Sequence, residues 1–140
     1  MAGYCVLADL PLSGISAVAL GAIDDTVLQA CIDSEAAKMS SYFRCRYKMP
    51  LMAWGDDVKI CNVILAVYDA MVVRGYNPSA GADVNLRLRY QDQLLWLLHV
   101  SRQDVQPDVT PSQDQSAGFD APRVVTNEVR GWGRTGRIST

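Results

Sequence analysis

The chain has 140 residues, 49% of them apolar and 20% charged, with a formal net charge of −2. That length suits one domain with a real core, and the composition argues against wholesale disorder. A balance this close to neutral excludes a global electrostatic pull towards nucleic acid or an acidic membrane surface.

Residues 1–23 are apolar and interrupted by Pro11, Gly14 and Gly21. They are read as one short helical turn over 5–10 followed by a connector. No export signal is expected, because Gly3, Tyr4 and Cys5 stand where a basic region would be and Asp9 interrupts the apolar stretch. The longest uncharged runs fall short of the roughly 20 residues that a bilayer requires, so no membrane partner is expected. A soluble cytosolic product follows. Cys5, Cys31, Cys45 and Cys61 are irregularly spaced, and His99 is the only histidine. Packed free thiols are expected rather than a disulfide or metal site.

Three helices make up the body. The first opens at Asp24-Asp25, whose carboxylates are read as caps, and runs to Tyr47 before Pro50 ends it. Leu28, Cys31, Ile32, Glu35, Met39, Tyr42 and Phe43 follow three-and-four spacing. Through Tyr47 its length would be about 36 Å. The second runs from Asp56-Asp57 to Arg74, with Gly75 as terminator, and leaves little polar face. Its valines and isoleucines also suit a strand, but length and terminal signals favour a helix buried on most sides at the centre of a bundle. The third opens near Asp83, carries Val84, Leu88, Gln91, Leu95 and Leu98 on one line, and fades after Ser101.

The fold class is therefore all-α, with residues 1–101 a helical bundle and residues 102–140 an extended polar arm. Over 105–140 the sizeable apolar side chains are Val105, Val109, Phe119, Val124, Val125, Val129, Trp132 and Ile138. Their full burial would supply about 12–24 kcal/mol. Fixing each backbone in the segment costs about 1–2 kcal/mol, and the segment has 36 of them. Such an arm cannot order itself, so it is either disordered or folds against a partner. Residues 123–129 have strand-like composition, and Trp132 between two glycines has the character of an interface anchor.

No catalytic constellation is found. His99 has no nucleophile partner, and Gly-rich phosphate loops, G-x-S-x-G and H-E-x-x-H are all missing. No cofactor is expected, and no enzyme. Residues 123–140 hold four arginines against one glutamate, a local charge of +3. This leaves open a nucleic-acid-binding module with a basic arm; docking on a protein surface is favoured.

The stretch Tyr42-Phe43-Arg44-Cys45-Arg46-Tyr47-Lys48-Met49-Pro50-Leu51 resembles the Tyr-Leu-x-x-Arg-Tyr-x-x-Pro-Leu pattern of the phage Mu-like head–tail connector family. The likeness continues at Tyr68, Arg74-Gly75-Tyr76-Asn77-Pro78, Arg89-Tyr90, Trp96-Leu97, Val100 and Arg130-Gly131-Trp132. Cys45 and the extension from Arg134 depart from it. The resemblance implies a virion protein of the neck, made in the bacterial cytoplasm, that forms a ring between portal and tail and extends the DNA channel. Its implied partners are the portal, neighbouring copies in a ring that would be dodecameric to match the portal, other neck or tail proteins, and DNA passing without sequence-specific contact. Tyr47 and Pro50 would shape the turn leaving the first helix. Val124, Val125, Val129, Arg130, Trp132, Arg134 and Arg137 would form the portal- or neighbour-binding arm. A stopper or tail terminator with the same core is the alternative within the neck.

Overall fold

The computed structural model describes residues 2–75 and 81–112. A 3-10 helix, Leu7–Ser13, is followed by α1 (Ala17–Leu20), α2 (Asp25–Phe43), β1 (Ala53–Trp54), α3 (Asp56–Arg74), α4 (Ala82–Ser101) and β2 (Val109–Thr110). The protein is a small helical bundle, and its one sheet among the described residues is the antiparallel pair β1–β2.

α3 is the central helix. Nine of its residues are buried, from Val58 to Ala70, and it contributes to both halves of the core. One half gathers Leu10, Leu28, Ile32, Val63, Val67 and Leu86; the other gathers Tyr4, Met39, Phe43, Leu65, Leu97 and Val100. A helix apolar on most of its circumference is stable only when covered on most sides. Here α2, α4 and the 3-10 helix all pack on it. Gly75 closes it at φ 100°, a backbone conformation that glycine adopts without steric cost.

The first predicted helix ends sooner than expected. α2 stops at Phe43, so it is about 28 Å long at 1.5 Å per residue. Near its end Ser40 and Ser41 donate to the carbonyls of Ala36 and Ala37, an alternative bonding pattern that loosens a helix. The chain then tightens, with Arg46 and Tyr47 both donating from their amides to the Phe43 carbonyl. The capping expectation is also corrected. Asp24 sits at the cap position without a side-chain cap bond, and Gly55, not an aspartate, occupies that position in α3. Both aspartates at the start of α2 are exposed, where water can satisfy them.

The expected connector after residue 10 is more regular than anticipated. Asp9 accepts from the Val6 amide at 3.0 Å and Ser16 accepts from the Ala19 amide at 3.3 Å, so local side-chain bonds set both short helices. Asn62, fully buried on α3, then ties this segment to the body. Its Oδ1 accepts from the Tyr4 amide at 3.1 Å and from Cys5 Sγ at 3.2 Å, while Nδ2 donates to the Ile32 carbonyl at 3.4 Å.

α4 is rotated relative to the line read from sequence. Leu86, Leu97 and Val100 are the buried positions, whereas Leu88 and Leu95 face outwards. The helix is apolar on two sides, so its periodicity alone does not say which one meets the core.

Cys5, Cys31 and Cys61 are buried and free, whereas Cys45 is exposed on the turn after α2. Burial pushes the Cys5 thiol up to about 12, and burial likewise raises Cys31 and Cys61. Native protein exposed briefly to a maleimide should therefore label at Cys45 alone among the four thiols, because it is the exposed one. The other three thiols should react only on unfolding. Mass spectrometry of peptides after a short exposure to a maleimide checks this; rapid labelling of Cys61 would contradict the packing described.

Candidate partner-binding site

Tyr47 and Pro50 lie in the segment joining α2 to β1, at the end of the bundle where α3 begins and α4 stops. Tyr47 packs edge-on to Phe43, with ring centroids 6.4 Å apart, and burial raises the pKa of its phenol. The Met49-Pro50 peptide is cis, and Pro50 is exposed. The segment joins α2, which ends at Phe43, to β1, which begins at Ala53.

Sequence reasoning did not find the residues that matter most here. The Arg46 guanidinium lies 5.2 Å from the centre of the Tyr47 ring. It donates to the Val105 carbonyl at 2.7 Å and to the Val100 carbonyl at 3.4 Å, so it holds both the last turn of α4 and the strand-like segment beyond it. Both bonds leave one guanidinium nitrogen, Nη1, whose two N–H groups serve the two carbonyls.

Asp57 completes the fastening. Its Oδ1 accepts from the Val58 amide at 2.8 Å and its Oδ2 from the Asp108 amide at 2.9 Å. The Gly55 amide donates to the Asp108 carbonyl at 2.7 Å and the Met52 amide to the Thr110 carbonyl at 2.8 Å. A Cβ on Gly55 would collide with the Asp108 side chain, so the close crossing of the two strands requires glycine there. Trp54 then links the strap to the N-terminal segment, donating from Nε1 to the Tyr4 carbonyl at 2.8 Å and meeting the Tyr4 ring edge-on at 5.0 Å.

The segment expected to lack order of its own is thus strapped to the bundle as far as Thr110. Pro107 is buried, and Val105 and Val109 pack against the core. The strap needs no self-sufficient core, because Arg46 and Asp57 satisfy its backbone from elements about fifty residues earlier. Val124, Val125, Val129, Arg130, Trp132, Arg134 and Arg137 lie outside the described residues.

His99 stands apart from this site. Its Nδ1 is 3.1 Å from the Asp104 carboxylate in the turn that ends α4. A second polar cluster bridges α2 and α4, where Lys38 donates to Glu35 at 2.7 Å and to Tyr90 Oη at 2.9 Å. Glu35 is almost fully buried, and burial raises its pKa against the lowering effect of Lys38. Burial opposes the charge on Lys38, but its two hydrogen bonds prevail and its pKa is raised. No group of side chains that could hold a metal ion occurs among the described residues. No helix among them is long and apolar enough to cross a membrane.

Fold and site define a small helical bundle with residues 105–110 strapped to one end. The chain belongs to the Bacteriophage Mu, Gp36 family, whose model matches residues 7–126. Membership makes it a phage structural or morphogenesis protein. Comparison with curated proteins finds no significant match.

Proposed function

We propose that this protein is a head–tail connector that sits in the virion neck between portal and tail. Copies of the bundle surround the DNA channel as a ring, and the residues beyond the strap grip the portal. The observation that carries this reading is the strap itself. Arg46, Gly55 and Asp57 fasten residues 105–110 to the bundle, and the family match runs past that point to residue 126. A rigid root is what an arm needs if it is to reach a defined place on a neighbouring protein, because it removes orientational freedom before binding. Val124, Val125 and Val129 then suit strand addition to a partner, with Trp132 as anchor and Arg130, Arg134 and Arg137 beside it. Other neck or tail proteins meet the opposite face of the ring, and DNA passes through without sequence-specific contact.

Light scattering on a sizing column tests this with the portal of the same phage. The full chain should join a large stoichiometric complex. A chain ending at Ser112 should keep its helical circular dichroism and its unfolding midpoint, yet lose portal binding altogether. Undiminished binding by that shorter chain would sink the proposal. A salt-sensitive shift with DNA, abolished by replacing Arg130, Arg134 and Arg137, would instead favour a nucleic-acid-binding module.

A further inference from the structure

We propose that Glu35, Lys38 and Tyr90 form a polar key that admits one rotation of α4, and so decides which of its apolar sides the bundle buries. This device is internal to the fold and does not depend on the connector reading.

Apolar area leaves that choice open. Leu86, Leu97 and Val100 are buried in the core. Val84, Leu88 and Leu95 lie about half a turn round the same helix, at 3.6 residues per turn. Each set is two leucines and one valine, so burying either withdraws a similar apolar area from water. Leu94 and Leu98 lie between the two sets and serve either. As α4 is seated, Leu88 and Leu95 are left 47% and 52% exposed. Two near-equal ways of packing one helix give a mixture unless something else separates them.

The polar contacts separate them. Lys38 on α2 donates to Tyr90 Oη on α4 at 2.9 Å and lies 5.5 Å from the centre of that ring. The same ring stacks on Tyr68 of α3, with centroids 4.2 Å apart and planes 25° apart. One residue of α4 is thus held from both α2 and α3. Glu35, on the preceding turn of α2, fixes Lys38 by accepting from its Nζ at 2.7 Å. A half-turn of α4 would carry Tyr90 outwards and bring Leu88 or Asp92 towards Lys38. A leucine accepts no hydrogen bond, and an aspartate would set a second carboxylate beside Glu35.

Glu35 is a poor device for stability. It is 1% exposed, and its Oε2 has no hydrogen-bond partner among the described residues. Burying a carboxylate is unfavourable unless its remaining lone pairs are filled, and an apolar pair of similar volume avoids that cost. What a buried polar group supplies instead is selection of one arrangement over another, as a buried asparagine does in a coiled coil.

Heteronuclear NMR of the full chain tests the key. The unmodified protein should give one set of amide resonances over residues 82–101. Glu35→Leu combined with Lys38→Met removes the key without leaving either partner unpaired. That double variant should unfold at an equal or higher urea concentration, yet show a second set of α4 resonances. In that set the Leu88 methyls should give Overhauser contacts to core methyls. Tyr90→Phe keeps the ring and loses only the hydroxyl, and should show the second set at about a tenth of the total intensity or more. Glu35→Gln still offers Lys38 an acceptor and should keep a single set. A single sharp set in both the double variant and Tyr90→Phe would show that packing alone seats α4, and would overturn the proposal. Resonances doubled throughout the chain, without the Leu88 contacts, would mean general loosening and overturn it as well. If the double variant does not fold, the Tyr90→Phe spectrum decides by the same criterion.

Discussion

Asn62→Ala should lower the free energy of unfolding by about 2–4 kcal/mol, among the largest effects of any single polar substitution here. Asn62 is fully buried and is the only side chain that joins the N-terminal segment, α2 and α3 through hydrogen bonds to Tyr4, Cys5 and Ile32 among the described residues. Removing it leaves the buried Tyr4 amide without its acceptor. The N-terminal segment should loosen before the bundle does, because Leu65, Met39 and Phe43 remain packed as before. Urea denaturation measures the first effect and amide exchange at Tyr4 the second. A loss below about 1 kcal/mol would mean that packing of Tyr4 and Leu10, not this network, holds the segment.

The second large effect separates the strap from the arm. A chain ending at Asp104 should be less stable than one ending at Ser112 by about 2–4 kcal/mol. Ending at Asp104 leaves Arg46 without the Val105 carbonyl, leaves Asp57 without the Asp108 amide, and uncovers the core beneath Pro107 and Val109. The chain ending at Ser112 keeps all of these contacts. Paired urea titrations would decide it: equal midpoints would show that the strap contributes nothing to the bundle. Portal binding should be lost in both, so stability and partner binding are read independently.

These two experiments also mark the boundary of what a linear reading can reach. α3 was legible because its signals are local: a long apolar run, Asp56-Asp57 ahead of it and Gly75 behind it. The start of α2 and the extent of α4 were legible for the same reason. The strap was not, since its order depends on Arg46 and Asp57, which lie about fifty residues away in sequence. Composition rightly finds too little apolar area in that stretch for independent folding, but it cannot see donors and acceptors delivered from elsewhere. Cys45 escaped the expectation of a packed thiol because the turn that exposes it forms only after α2 ends early at Phe43.

By itself the sequence determined that this is a small helical protein with a central apolar helix, and its ordered motifs pointed to the phage family that the chain belongs to. Periodicity and end signals act within a few residues, which is why they survive in a linear reading. Only the tertiary structure decided which side of α4 meets the core and where the C-terminal segment is fastened. Those outcomes follow from contacts between elements distant along the chain, and from competition between two apolar stripes for one core.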